Sequence, residues 1–490
     1  MIDSIKKESI EKTSDIAPGF HTINPDMRLT SQPSSNIPTE NDGKTEKKSI
    51  ITISNLVTTV KTTNFYITIF GTCIVITHVC LGNFAIFSLA QKTKSFGLLW
   101  MIIFCIIVGI INYWAITRSF AASIKCKDAN YSQITEKFFG KRMRQILNLI
   151  IIGYAFLCMM YLTSLTYPLI GRVVIILVYN KQYQSYDTFL KEKWGKGFIK
   201  YPFFLCIGFC VYIISYFKFI KLKYMGYFRI ISISFCILIL IIQCGSYYNF
   251  YKNTIYDKEN KSTHPNWTNL DKAFNSKMDF FKGLCILFAN YTCMSIMFPI
   301  FEGFKIQEKP LKKTRVSVIL GTLLITALTI ISIICSYLIN PYSPEEFIFF
   351  RKKKNPGKDI PILVINLILV VCIILTIPRY YLMLKINFKL LFFKERIDDK
   401  INNFFTFLFC FGSTFVSIYY NHYQNYLIYI GGFFSVFISY LFPALNFVKS
   451  SYKENPFKYW NNLLQIIFAG VLCSIGIIGG ISTIVDDIKN

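Results

Sequence analysis

The chain has 490 residues, of which 53% are hydrophobic and only 16% are charged, and its mean hydropathy is +0.43. Soluble domains carry about 25% charged residues, so this composition excludes a long soluble enzyme, and it equally excludes a disordered, collagen-like or disulfide-rich secreted protein. The formal net charge of +26 is compatible with nucleic-acid binding, but the basic residues lie between apolar runs rather than on one domain. We therefore expect no nucleic-acid partner.

Residues 1–60 are polar and contain scattered prolines, serines, threonines and lysines. No apolar segment follows Met1 closely, so a cleavable signal peptide is not expected. Too little apolar surface is present for a packed core. The sequence thus predicts a disordered N-terminal tail on the cytosolic side.

Apolar runs long enough to cross a membrane follow the tail, within a transmembrane domain predicted at 61–484. They divide into a first repeat at 61–244, a second at 280–448 and a last helix at 462–484. The eleven runs are 64–90, 97–123, 146–179, 202–220, 224–244, 280–301, 315–340, 360–386, 403–420, 425–448 and 462–484. The fold class predicted here is an all-α, multi-pass membrane protein in contact with the lipid bilayer.

The orientation of the chain follows from its lysines and arginines, which are more frequent in the segments that an inside N-terminus would leave in the cytosol. The longest predicted outside loop, 245–279, contains two sequons, which begin at Asn260 and Asn266. Both asparagines are candidate glycosylation sites. We predict a cytosolic N-terminus and an outside C-terminus, in a plasma membrane or an acidic vacuole or lysosome-like membrane.

Eleven spans can be arranged as five, five and one, and because five is odd the second set enters from the opposite face. This is the condition for an inverted repeat, in which the first helix of each half is commonly broken near the membrane centre. Polar and small residues interrupt both leading helices, at 77–83 and at 289–295, and Pro299 follows the second. Such breaks are tolerated only where they face protein or a water-lined cavity.

Several motifs recur in the order typical of a known group of membrane proteins. They are Ala85-Ile86-Phe87-Ser88-Leu89-Ala90 followed by Gly97, Tyr131 with Glu136-Lys137-Phe138-Phe139-Gly140-Lys141, Tyr291-Thr292-Cys293 with Pro299-Ile300-Phe301-Glu302, and Thr376-Ile377-Pro378-Arg379 with Gly431 to Pro443-Ala444-Leu445. The chain resembles the amino acid/auxin permease family over about 64–484, and its richness in Lys, Asn, Ile, Tyr and Phe is similar to that of members from AT-rich protist genomes.

The resemblance implies a leucine-transporter-like fold of eleven helices and secondary active transport of an α-amino acid, by alternating access and coupled to H⁺ or Na⁺. The family has paired glycines in its first helix, where this chain has Asn83 and Ala85. This departure bears on how far the backbone opens and on which substrate fits.

An α-amino acid carries a carboxylate and an ammonium, and the ends of a broken helix offer partners for both. Free amides in Gly82, Asn83, Phe84 and Ala85 are the candidates for the carboxylate. Free carbonyls and side chains of the second break are the candidates for the ammonium and the side-chain pocket, namely Phe288, Ala289, Asn290, Tyr291 and Thr292.

Two residues are candidates for the coupling ion, since no Asp or Glu lies in the middle of any run. His78 lies deep in the first run, and the unperturbed pKa of histidine, about 6.5, suits H⁺. Thr376 could bind Na⁺ together with carbonyls of the first helix. Arg379 and Lys385 read as anchors that snorkel to the cytosolic surface, and Tyr380, Tyr381, Tyr419 and Tyr420 read as an interfacial belt.

Other functions remain open at this stage. An amino acid sensor of the same fold would bind its ligand with little or no flux. An enzyme is not indicated, because the four histidines form no motif and no CxxC pair is present, so we expect neither a metal nor a resident cofactor. The sequence contains no filter-like segment typical of a channel and no P-loop, and it leaves the oligomeric state open.

Overall fold

The computed structural model of the chain describes residues 69–126, 130–178, 189, 197–217, 222–245, 277–294, 297, 310–339, 349, 360–393, 399–419, 423–451 and 457–489. The predicted tail at 1–60 and both sequon residues, Asn260 and Asn266, lie outside these residues. The same holds for Pro299 and Glu302.

The described part of the chain is built from helices. In chain order they are α1 (Ile69–Cys80), α2 (Leu89–Phe96), α3 (Leu98–Cys126), α4 (Tyr131–Phe139), α5 (Lys141–Leu177), α6 (Gly197–Phe217), α7 (Leu222–Gly245), α8 (Lys277–Asn290), α9 (Pro310–Ile339), α10 (Ile360–Phe392), α11 (Asp399–Tyr419), α12 (Tyr423–Tyr429), α13 (Phe442–Ser451) and α14 (Phe457–Lys489). The all-α prediction is confirmed.

In the described residues, eight helical segments are long and apolar enough to cross a membrane, and two shorter apolar helices, Ile69–Asn83 and Ile199–Ser215, accompany them. Large apolar side chains such as Ile231, Leu323 and Phe404 are exposed on their outer faces, as expected of surfaces that contact lipid. The chain is therefore a multi-pass membrane protein. Each predicted run overlaps at least one described helix, while the count of eleven crossings stays a prediction.

The first predicted run is broken, as the inverted-repeat pattern requires. The α-helical hydrogen bonding of α1 ends at Cys80, two short 3₁₀ turns follow at Leu81–Asn83 and Ala85–Phe87, and α2 begins at Leu89. The break begins later than the predicted Thr77, which lies within α1 and whose hydroxyl donates to the Cys73 carbonyl one turn earlier.

The third predicted run corresponds to α5, a single helix of 37 residues that contains Pro168. At 1.5 Å per residue it is about 55 Å long, against roughly 30 Å of hydrocarbon. It begins directly after Gly140, whose φ of 83° suits glycine. α5 packs along α10, and these two helices form one wall beside the first break.

The tenth predicted run forms one helical segment, Tyr423–Ser451, with π-helical stretches at Ile430–Ser435 and Phe437–Leu441 between α12 and α13. The first stretch packs against α8. A side chain on Gly431 would collide with the backbone carbonyl of Cys285, so the two backbones approach as closely as only glycine allows.

Candidate functional site

The two helix breaks lie against each other. The Asn83 amide in the first break donates a hydrogen bond of 3.0 Å to the carbonyl of Ala289 at the end of α8. The Cys80 thiol contacts the carbonyl of Tyr291 at 3.7 Å. The fold thus brings together the two stretches that the sequence selected from separate halves of the chain.

The first break holds Gly82, Asn83, Phe84 and Ala85, and all four are buried. Phe84 has the left-handed backbone angles φ 52° and ψ 15°, a conformation that residues other than glycine rarely adopt. Its amide donates to the Leu81 carbonyl at 3.1 Å, and its own carbonyl accepts from Phe87 at 3.1 Å. A local turn pattern therefore replaces the α-helical one around Phe84.

Asn83 is the centre of a hydrogen-bond network that joins four segments. Its Oδ1 accepts from the hydroxyl of Tyr380 on α10 and from the thiol of Cys158 on α5, at 3.7 Å for the thiol. Its Nδ2 donates to Tyr154 Oη at 3.3 Å as well as to the Ala289 carbonyl. Sequence reasoning missed Tyr154, Cys158 and Tyr380, whose proximity only the fold creates.

The second break starts where α8 ends at Asn290. Tyr291 forms a turn whose amide donates to the Leu287 carbonyl at 3.2 Å, and the Thr292 amide donates to the Ala289 carbonyl at 3.4 Å. The Thr292 hydroxyl donates to the Phe288 carbonyl at 2.7 Å. The end of α8 and the turn thus place the Phe288 and Ala289 carbonyls close together, and both already accept hydrogen bonds from groups of the protein.

Hydrogen bonds with neutral groups of α3 and α9 hold Tyr291 and Asn290 at the second break. Tyr291 Oη lies 2.7 Å from Thr326 Oγ1 on α9 and donates to the Cys105 carbonyl on α3 at 3.3 Å. The Asn290 amide donates to Thr329 Oγ1, also on α9, at 3.0 Å. The hydroxyls of α9 are therefore further residues of the site, and no motif in the sequence pointed to them.

Two arginines lie beside the first break. Arg229 on α7 is 2% exposed and Arg379 on α10 is 7% exposed. A Cβ placed on Gly82 would lie 3.0 Å from Arg229 Nη1, 3.2 Å from Arg379 Nη1 and 3.3 Å from Tyr380 Oη. The prediction that Arg379 snorkels to the surface is wrong, because its guanidinium turns inward to the break.

The predicted aromatic belt is also partly wrong. Tyr380 and Tyr381 are buried, with the Tyr381 hydroxyl bonded to Thr406, whereas Tyr419 is exposed as an interfacial residue would be. Tyr420 lies outside the described residues. Two of these tyrosines therefore belong to the protein interior because their helix faces α5 and α11 rather than lipid.

Both candidate coupling residues lie beside the same arginines. His78 is buried against Gly226, and within the described chain neither of its ring nitrogens has a hydrogen-bond partner. The Thr376 hydroxyl donates to the Cys372 carbonyl and accepts from Arg229 Nη2, both at 2.5 Å. Arg229 Nη1 also donates to the His78 carbonyl at 3.2 Å. The hydroxyl expected for Na⁺ and one carbonyl of the first helix thus both pair with a guanidinium, an arrangement that does not fit a metal cation.

The signal for Arg229 was present in the sequence, since a charged residue in an apolar run is costly in the membrane and commonly functional. Arg229 lies only five residues after the start of its run at 224, a position where an arginine is typical of a helix end, and this position hides the signal. Its burial comes from the packing of α7 against α1 and α10.

Comparison with known proteins agrees with this architecture. The family model described as transmembrane amino acid transporter protein matches residues 66–484. No curated protein sequence matches the chain. Among solved structures, the crystal structure of MhsT in complex with L-phenylalanine aligns with a TM-score of 0.57 at 12% identity, over 84% of this chain and 98% of that chain. This likeness in fold confirms the predicted leucine-transporter-like architecture.

Proposed function

Because this chain belongs to the transmembrane amino acid transporter family, we propose that it moves an α-amino acid across a membrane as a secondary active transporter. The observation that carries the proposal is the contact between the two helix breaks, from Asn83 to the Ala289 carbonyl. A pair of broken helices that meet in the protein interior supplies backbone groups of both polarities to one solute.

The substrate would bind between Gly82–Ala85 and Phe288–Thr292. The carboxylate would bind on the side of the first break, where the guanidiniums of Arg229 and Arg379 make the surroundings positive. The ammonium would bind the carbonyls of Phe288 and Ala289 at the C-terminal end of α8, where the helix dipole favours a cation. There it would displace the hydrogen bonds from Thr292 and Asn83 that these oxygens now accept.

Alternating access would depend on the Asn83 network. Asn83 bonds to α5 through Tyr154 and Cys158, to α10 through Tyr380 and to α8 through Ala289. Replacement of its bond to Ala289 by the substrate would loosen the first break from α8. The substrate would then bind the two conformations of the carrier with different affinity, which is what shifts such an equilibrium.

We propose H⁺ as the coupling ion, with His78 as its carrier, because the Thr376 hydroxyl, the side chain expected for Na⁺, is bonded to Arg229. The proton would bind together with the substrate, since the substrate carboxylate would offset the charges of Arg229 and Arg379 beside this imidazole. An inward pH gradient should raise uptake by the wild type, and His78→Gln should make uptake independent of that gradient. His264→Gln, a change in the predicted outside loop, serves as the control. Equal stimulation of the wild type and His78→Gln would exclude this histidine.

The finer topology is also part of the proposal. We place the N-terminus and the tail 1–60 in the cytosol and the loop 245–279 outside, with glycosylation at Asn260 and Asn266. The domain limits of 61–244, 280–448 and 462–484 belong to the same proposal, as does a plasma membrane or an acidic vacuole or lysosome-like membrane. A shift in electrophoretic mobility after glycosidase treatment, lost in the Asn260→Gln, Asn266→Gln double variant, tests the orientation.

Transport itself is tested with purified full-length protein in liposomes and a panel of labelled amino acids. L-phenylalanine is the first probe because it is the ligand of MhsT, the structural neighbour named above. We expect saturable uptake of at least one amino acid over protein-free liposomes. Ligand-dependent stabilisation of the purified protein without flux would contradict the proposal and favour a sensor.

A further inference from the structure

Arg229 is the most deeply buried charged side chain near the first break, and it lies on a helix that contributes neither break. The residue is 2% exposed and lies in a segment that qualifies as a membrane span, Gly226–Cys244. Burial of a charge in a membrane span is costly unless hydrogen bonds and nearby charges compensate for it. A buried arginine at this position is therefore expected to have a function.

The bonds of Arg229 identify the place it occupies. Nη1 donates to the carbonyl of His78, two residues before the end of α1, and Nη2 donates to the hydroxyl of Thr376 on α10. A carbonyl next to a helix break and a hydroxyl from a second helix are oxygen ligands that suit a small monovalent cation. In this chain each of the two oxygens accepts a hydrogen bond from one nitrogen of Arg229. The positively charged guanidinium therefore occupies the place between them.

The neighbouring charge points in the same direction. Arg379 Nη1 lies beside the same face of Gly82 as Arg229 Nη1. The Cζ of Arg379 also lies 5.5 Å from the centroid of the Tyr380 ring, which carries no charge to offset that of the guanidinium. The ion pairs found among the described residues, such as Lys92–Asp279 and Arg144–Glu136, involve neither arginine. A mobile metal cation at this place would be repelled by two guanidiniums at short range.

We propose that Arg229 is a built-in cation that replaces a coupling metal ion between the first break and α10, so that transport does not depend on Na⁺. The proposal rests on the proposed transport function. A cation that is covalently part of the protein cannot be released on the far side of the membrane, so it stabilises the break without drawing on a Na⁺ gradient. Arg229 is thus a positioning residue that ties α7 to α1 and α10.

The first arm of the test measures uptake of L-phenylalanine, or of whichever amino acid of the panel gives the largest signal, with Na⁺ replaced by choline. Wild-type uptake should be the same in both salts. Arg229→Ser should lower uptake by about tenfold or more, because two buried acceptors lose their donor. Arg229→Lys should retain more uptake than Arg229→Ser, because an ammonium keeps the charge.

The second arm needs no flux and measures the thermal unfolding of the purified full-length protein in NaCl and in choline chloride. The wild-type midpoint should be equal in the two salts. Arg229→Ser should unfold at a lower temperature and should recover part of the difference in NaCl, since Na⁺ can now reach the His78 and Thr376 oxygens. Arg118→Ser is the matched control, because Arg118 packs over the Phe447 ring away from both oxygens.

A wild type that loses uptake by about tenfold in choline, or gains stability from Na⁺ as Arg229→Ser does, would overturn the proposal. So would an Arg229→Ser variant that responds to Na⁺ no more than Arg118→Ser. If no amino acid is taken up and Arg229→Ser still gains a Na⁺ response, the transport function fails and the built-in cation stands.

Discussion

The two helix breaks occupy matched places in the two halves of the chain, but different chemistry holds them in place. Around the first, the side chains are charged or strongly polar: Arg229, Arg379 and the Asn83 network. Around the second, they are neutral hydroxyls that pair with Tyr291 and Asn290. The two halves therefore each supply a break but differ in the polarity of the side chains around it, which suits a zwitterionic solute.

The support behind the breaks differs too. Side-chain hydrogen bonds fix the first break, whereas the helix that leads into the second, α8, is fixed by close backbone contact with the π-helical stretch at Gly431. Hydrogen bonds can exchange partners during a conformational change, while a backbone contact of this kind tolerates no inserted atom. We expect the first break to move during transport, while α8 stays fixed and supports the second break.

The largest effect should come from Gly431→Ala, which tests the support of the second break. Its methyl group would collide with the Cys285 carbonyl, which belongs to the backbone of α8 and cannot rotate away. Overpacking of this kind costs about 1–3 kcal/mol or more. We expect little folded protein by fluorescence-detected size-exclusion chromatography. Gly412→Ala, which meets nothing within 4 Å, is the control, and equal yields of the two variants would argue against a rigid support.

The second largest effect should come from Asn83→Leu, which removes the network of the first break. Groups on Tyr154, Tyr380 and Ala289 lose their partner, and each buried unpaired group costs about 1–3 kcal/mol. Uptake in liposomes should fall by about 100-fold. Asn112→Leu changes another buried asparagine, one whose side-chain atoms have no hydrogen bond within the described chain, and should keep near wild-type uptake. Similar losses in both variants would contradict a special role for Asn83.

A smaller loss is expected from Tyr291→Phe at the second break, where only a neutral hydroxyl is removed. The bonds to Thr326 and the Cys105 carbonyl disappear while the ring stays in place. We expect the apparent KM for the transported amino acid to rise by about three- to tenfold, the loss typical of one or two neutral hydrogen bonds. Thr326→Val should give a similar rise, and the double variant should be little worse than either single one. Additive losses would show that the two hydroxyls act separately.

The smallest effect should come from Gly82→Ala, which disturbs the charged surroundings of the first break. The new methyl group meets the ends of the Arg229, Arg379 and Tyr380 side chains, and flexible side chains can give way by a few tenths of an ångström. We expect uptake to fall by about two- to fivefold with no loss of folded protein. Gly470→Ala, in open space, is the matched control. Uptake at the wild-type rate would mean that the two guanidiniums do not press on the break.

Much of the architecture could be predicted because apolar runs report membrane crossings directly, and because glycine and asparagine in a run report a break. The first break was predicted at 77–83, close to the observed 81–88, since polar residues such as Thr77 can satisfy themselves within a helix. The predicted site residues from both halves do lie together, although their roles in binding stay predictions.

The partners of those residues could not be predicted from local pattern. Tyr380 and Arg379 lie in the second half of the chain and reach the first break only because α10 packs along α5. An arginine near the end of an apolar run is usually interpreted as a surface anchor. Arg379 is not one, because α10 continues beyond it to Phe392. Hydrogen bonds between residues roughly 150 or more positions apart, such as Arg229 to His78 and Tyr380 to Asn83, leave no periodic signal.

The burial of Arg229 also has an electrical consequence. A charge that belongs to the polypeptide feels the membrane voltage, about 2.3 kcal/mol per elementary charge for each 100 mV crossed. If Arg229 moves by some distance across the membrane when the loaded carrier changes conformation, it moves back by the same distance when the empty carrier returns. Its contribution to the current of a complete cycle is therefore zero, and a steady current would count only the ions that travel with the cargo.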